Sequence, residues 1–231
     1  MKKIIYWLND KELKKIFSAD YWNNVEEEKR KELWMTDGNY ESCIKYLKDN
    51  KLLDEFAVAE SYITNPGNSS LKVLDLAAGI GWTSALISKL KNVGEVHAVE
   101  ISKHRIGEMF EHTMKMLGGI DRKILRYVGS FYNIKMKDKS IDLVFLSQAF
   151  HHADKPLKLL IECDRVLKDK GRFASQTCLC LFLKLRFHRF YTHKHWYLFS
   201  SHIFSFLSWT FLTFLVGNPL FESRNKQSGC A

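Results

Sequence analysis

The spacing of apolar residues changes once along this 231-residue chain, close to residue 70. Before that point apolar positions recur at helical intervals. "DKELKKIFSADYWNNVEEEKRKELW" and "NYESCIKYLKDNKLLDEFAVAESYI" both carry one apolar stripe against a charged face, so residues 10–60 predict two or three helices. "TNPGNSSL" (64–71) is a dense breaker cluster and marks a boundary. Beyond it the apolar blocks shorten. "KVLDLA", "EVHAVEIS", "ILRYVGSF", "IDLVFLSQ" and "RFASQTCLC" predict five strands. Between them "GWTSALISKLKN", "KHRIGEMFEHTMKMLG" and "KPLKLLIECDRVLKDKG" predict helices, the last ending at Gly171 in a left-handed cap. Strands alternating with helices imply an α/β fold with a doubly wound, mostly parallel sheet, its apolar strands buried on both faces. The pattern divides the chain into an N-terminal helical extension (1–69), a sheet-forming core (70–175) and an atypical C-terminal tail (176–231).

The tail departs from the rest in composition. Residues 172–221 hold five Lys and Arg and no Asp or Glu, so much of the net charge of +9 belongs there. No Lys/Arg stripe interleaved with aromatics runs through the first 171 residues, which argues against a nucleic-acid partner. Residues 196–221 lack any formally charged side chain and are long enough to cross a bilayer behind the basic "KLRFHRFYTHKH". Three readings stay open: a membrane anchor, a packed aromatic extension over a substrate pocket, or a shifted reading frame. Cys43, Cys163, Cys178, Cys180 and Cys230 are odd in number and unpatterned. The N-terminal apolar run is too short for a secretory signal, so the expected setting is cytoplasmic, with membrane association only through the tail.

The chemistry concentrates in "VLDLAAGIGWTSALISKL", residues 73–90. In open α/β sheets ligands bind beyond the carboxyl ends of strands, and glycines there let backbone approach them closely. A dinucleotide-binding turn would place a third glycine where Ser84 stands, and would set pyrophosphate on the helix N-terminus. Asp75 just before the turn suits a cationic ligand better than a phosphate. An NAD(P)-dependent oxidoreductase is therefore the weaker enzyme reading.

"VLDLAAGIGW" resembles the first motif of class I S-adenosylmethionine (SAM)-dependent methyltransferases, a Rossmann-like family. Asp75, Gly79 and Gly81 match, and Ala77 stands where the first glycine is usual. The resemblance implies SAM as cofactor, with Asp75 placing its ammonium group. Glu100, followed by Ile101, stands where the family's acid bonds the ribose hydroxyls. Ser130 takes the place of the acid that meets the adenine, with Phe131 beside it to pack on the ring. "SIDLVFLSQAFHHADKPLKLLIECDRVLKDKGRF" resembles the fourth-strand region of ubiquinone/menaquinone-type methyltransferases and adds Ser147, His151 and His152. Residues 70–175 carry the resemblance.

Each residue also has a plainer reading. Gly79 and Gly81 can form an ordinary strand-to-helix turn, and Glu100 can be a surface acid. His151 and His152 are candidates for a general base near neutral pH, or they shape their loop. Asp154 is read as the cap of the following helix. Tyr21 and Trp22 are candidates for a lid or for core, and the charged run 26–32 for a solvated face. No metal is implied. The expected activity is methyl transfer to a small-molecule, sugar or lipid-linked acceptor. The rival from another class is a membrane-tethered SAM-binding protein with little catalysis.

Overall fold

A computed structural model describes residues 3–16, 24, 40–64, 70–177 and 195–200. The readings for Tyr21 and Trp22, for the run 26–32 and for residues 201–221 lie outside the described residues. Seven parallel strands form one sheet: β1 (Ile5–Tyr6), β2 (Leu71–Leu76), β3 (Val93–Glu100), β4 (Ile124–Val128), β5 (Ile141–Ser147), β6 (Leu167–Thr177) and β7 (His195–Ser200). Their order is β1-β4-β3-β2-β5-β6-β7. The chain winds outward from β2 through β3 to β4, then restarts at β5 on the other side. That reversal beside β2 is where open sheets of this kind leave a crevice for ligands.

Alternation along the central strands sorts side chains onto two faces. Val73 and Phe145 join Phe56, Ile87 and Phe110 on one face. That face is covered by α3 (Leu52–Ile63), α4 (Trp82–Lys89) and α5 (Phe110–Met116). Leu74, Leu76 and Val144 meet Leu159, Cys163 and Val166 of α6 (Pro156–Val166) on the other. Among the described residues two smaller helices precede α3, α1 (Asp10–Leu13) and α2 (Tyr40–Asp49). Asn9 caps α1 in a reciprocal capping box with Glu12.

No helix covers the connection from β4 to β5. Arg165 of α6 pins that loop instead, its guanidinium donating to the carbonyls of Ile134 (2.6 Å) and Met136 (2.9 Å) and pairing with Asp138 and Glu162. Buried Arg126 does the same work behind β3, donating to the carbonyls of Ile106 and Gly107 and to Glu111. It lies 5.8 Å from the centre of the Phe110 ring and helps fix it.

Three sequence expectations change. The sheet gains β1 and β7 beyond the five strands read from the pattern. Residues 196–200, the start of the apolar stretch read as a candidate bilayer span, form a strand that pairs in parallel with β6. The helix read as ending at Gly171 stops at Val166. Leu167 turns extended (φ −69°, ψ 135°), pairs with Ile141 and is wholly buried, and Gly171 does not take the left-handed conformation. Among the described residues no helix is long and apolar enough to cross a membrane.

Candidate functional site

The turn leaving β2 is unusual in its backbone. Ala77 (φ 53°), Gly79 (φ 55°) and Gly81 (φ 83°) are all left-handed, three such residues within five. Hydrogen bonds from Ala78 N–H to the Val99 carbonyl (3.0 Å) and from Gly81 N–H to the Ala78 carbonyl (2.8 Å) hold it closed. A side chain at Gly79 would meet nothing within 4 Å, so its surroundings are open and only its φ demands glycine. Ala77 bears the penalty of a left-handed L-residue, about 1–2 kcal/mol. Replacing it with glycine also loosens the unfolded chain, which offsets part of the gain. Ala77→Gly is expected to raise stability by about 0.5–1 kcal/mol in urea unfolding.

Asp75 projects from the end of β2 and is 1% exposed. Its Oδ2 accepts hydrogen bonds from Ser84 Oγ (2.5 Å) and Thr83 Oγ1 (2.7 Å) on the first turn of α4. Its Oδ1 is buried without a hydrogen-bond partner. Burial is the main reason its carboxyl is pushed up to about 6; the two hydroxyls oppose that, and the nearby Glu100 charge adds to it.

Glu100 closes β3 and knits the next two loops together. Oε2 accepts from Gly79 N–H, and Oε1 from the N–H groups of Ile101 and Ser102, each at 2.9 Å. One carboxylate therefore fixes the glycine turn to the turn after β3. Gly129 N–H donates to the Glu100 carbonyl, and the Trp7 ring lies over Gly129, where any side chain would strike it at 2.5 Å. Ser130 is buried, and its Oγ accepts from Tyr132 N–H inside its own turn. Phe131 stands edge-on to Tyr132, with ring centres 4.6 Å apart.

Across the switch point, Ser147 ends β5 and donates from Oγ to Gln176 Oε1 (3.2 Å). Buried Phe150 anchors the short 3₁₀ turn Phe150–His152 against Phe173 and leaves the two histidines at the surface. Their ring centres are 3.9 Å apart. Desolvation lowers the titration of both imidazoles; His152 falls to about 4, helped by the charges of His151 and Arg105. Both are therefore neutral at pH 7, the form that accepts a proton. Asp154 caps nothing: Lys155 holds the cap position with no side-chain bond, and Pro156 begins α6 without an N–H to cap. Among the described residues no group of His, Cys, Asp and Glu could hold a metal.

The fold thus gathers Asp75, Ala77, Gly79, Gly81, Glu100, Ile101, Ser130, Phe131 and Ser147 at the carboxyl ends of four adjacent strands. Thr83, Trp7 and Gln176 were not read from the sequence. Thr83 could have been, as a hydroxyl one helical turn beyond an acid. Trp7 and Gln176 gave no local signal.

A family model described as a methyltransferase domain matches residues 74–175. The segment is similar to a methyltransferase domain over 102 of the chain's 231 residues. Over 107 residues the chain is 33% identical to a dimethylglycine N-methyltransferase of Parasynechococcus marenigrum, covering 44% of this chain and 35% of that protein. It is 29% identical to a demethylmenaquinone methyltransferase of Thermotoga maritima, covering 68% of this chain and 69% of that one. A solved structure of a sarcosine dimethylglycine methyltransferase from Galdieria sulphuraria is 30% identical, with a TM-score of 0.44, covering 52% of this chain and 44% of that one. The chain therefore spans about a third of the first relative's length.

Proposed function

We propose that this protein binds SAM across the ends of β2, β3 and β4 and methylates a small-molecule acceptor that approaches from the β5 side. The observation that carries the reading is Asp75: a buried carboxylate with one unpartnered oxygen, beside an open glycine at Gly79. An uncompensated buried carboxylate is costly, and a cationic ligand group supplies what Oδ1 lacks.

SAM, when bound, brings a methyl carbon activated by its sulfonium. The chain's own residues do the rest. Asp75 holds the ammonium end, and the left-handed turn at Ala77–Gly81 keeps side chains away from the cofactor. Glu100 spends three of its roughly four lone-pair sites on backbone N–H groups and keeps one on Oε2 to accept a ribose hydroxyl. Ile101 and Phe131 offer apolar surface to the adenine. Ser130 contributes no carboxylate there, so recognition of the ring rests on packing and backbone. His151 and His152, neutral and at the surface, are the candidates to take a proton from an acceptor that needs to lose one, His152 only as a weak base since its titration is lowered to about 4. For an acceptor that is already a good nucleophile, alignment alone suffices. The names of the relatives, with amine and quinone-type acceptors among them, support a small-molecule acceptor; sugar and lipid-linked acceptors remain within the proposal.

Calorimetric titration with SAM and S-adenosylhomocysteine tests the reading. Saturable binding is expected, and it is expected to vanish in a folded Asp75→Ala, Glu100→Ala double variant. Absence of binding by the folded wild-type protein would sink it.

A further inference from the structure

We propose that Gln176 is a positioning residue that holds the acceptor-side turn after β5 in register with the first turn of α3. The inference rests on the methyltransferase reading for what the turn does, though not for how it is held.

Gln176 lies at the carboxyl end of β6 and is wholly buried. Its side-chain amide offers one acceptor and two donors, and each is spent on a different part of the fold. The carbonyl oxygen accepts from Ser147 Oγ (3.2 Å). The amide nitrogen donates to Glu55 Oε2 (2.6 Å) and to the Leu52 carbonyl (3.3 Å), both on α3. Its backbone carbonyl accepts from Gln148 N–H at 2.6 Å. Gln148 is left-handed (φ 52°), a conformation non-glycine residues seldom take unless their surroundings impose it. Gln176 supplies that imposition from below, and two residues later the His151–His152 turn begins.

The coupling has a consequence at the glycine turn too. Phe56, next to Glu55 on α3, packs with its ring centre 6.1 Å from both Trp82 and Phe145. Trp82 is the first residue of α4, directly after Gly81. The side chain of Gln176 thus joins the end of β5 to the helical cover, its backbone carbonyl holds the residue that leads into the histidine turn, and Phe56 carries the contact on to the cofactor turn. A leucine or methionine could fill the volume, but neither could satisfy Ser147 and Glu55 together.

Exchanging the partners tests this. Gln176→Glu alone sets two carboxylates side by side and removes the donors to α3. Adding Glu55→Gln restores a donor–acceptor pair in reverse and keeps an acceptor for Ser147. The readout is the NMR titration of the imidazole C–H of His152, assigned with a His152→Gln variant. In Gln176→Glu the His152 midpoint is expected to rise by at least one pH unit from its depressed value, and the double exchange is expected to bring it back. Gln176→Met, which adds no charge, is titrated beside it, so that a rise due only to the new carboxylate is separated from one due to release of the turn. A purely structural role would lower the urea midpoint of Gln176→Met without moving His152 in the folded protein. If Gln176→Glu does not fold, Ser147→Ala is read by the same titration. An unchanged His152 midpoint in whichever of these variants folds overturns the proposal. Titration with S-adenosylhomocysteine on the same samples separates the two readings: a wild-type protein that fails to bind it refutes the proposed function and leaves the His152 result standing on its own.

Discussion

Asp75→Asn is expected to make the protein more stable and to cost it its cofactor. Asp75 titrates near 6 in the folded chain against 3.8 for an ordinary aspartate, chiefly because it is buried. Its folded value is raised, so the native state holds a proton that the unfolded state releases between about pH 4 and 6. Stability from this group therefore falls as pH rises through that window and stays low above it. The full difference is about 3 kcal/mol. Asparagine is uncharged at every pH but must find an acceptor for its amide, so the net gain at pH 7.5 should be nearer 1–2 kcal/mol. Thermal unfolding across pH 4 to 8 checks this: the fall between pH 4 and 6 should flatten in the variant. At the same time, affinity for SAM should drop about 100-fold, the scale of losing a charge-assisted bond in a buried site. Wild-type affinity should weaken below pH 6, where binding the cation must first drive a proton off Asp75. A variant that binds SAM as well as the wild type would remove Asp75 from the site.

Gly81→Ala is expected to be among the most damaging single methyl groups that can be added to the described residues. The new carbon would lie 2.2 to 2.7 Å from three atoms of the Phe110 ring. That ring is fully buried, is covered by Arg126 and has no room to retreat. The residue would also sit at φ 83°, where an L side chain is strained on its own account. Overpacking of about 1–3 kcal/mol and left-handed strain of about 1–2 kcal/mol together give roughly 3 kcal/mol. That is a large share of the total stability of a typical domain. Gly79→Ala supplies the control, since it has the same strain with no collision. A Phe110→Leu change should recover part of the loss at Gly81 and none of it at Gly79. Equal damage at the two glycines would show that the collision with Phe110 is not what matters.

Much of the core was legible because its signals are local. Asp75, Gly79 and Gly81 fall within seven residues, and Glu100 ends the very next strand. The alternation of apolar blocks gave the five central strands in order. What escaped depends on partners far along the chain. Leu167 looked like the continuation of a helix, and only its pairing with Ile141 turns it into a strand. Gln176 is an unremarkable polar residue until Leu52 and Glu55, more than 120 positions away, are brought against it. Asp154 was misread for a nearer reason. A small acid before a helix is a fair cap signal, but α6 starts at Pro156, so the cap position falls on Lys155, one residue past Asp154.

The short strand β1 has a consequence for how the molecule is made. Ile5 pairs with Tyr127, and Trp7 settles on Gly129. β1 has no place in the sheet until β4, more than a hundred residues further along the chain, has formed its own edge. Closing so long a loop is slow compared with building the helices and strands around β2. The pairing of β1 with β4 is thus expected to form late in folding. The indole of Trp7, tilted against Tyr127 with ring centres 4.7 Å apart, is a natural reporter of that step, its emission expected to change when β1 docks.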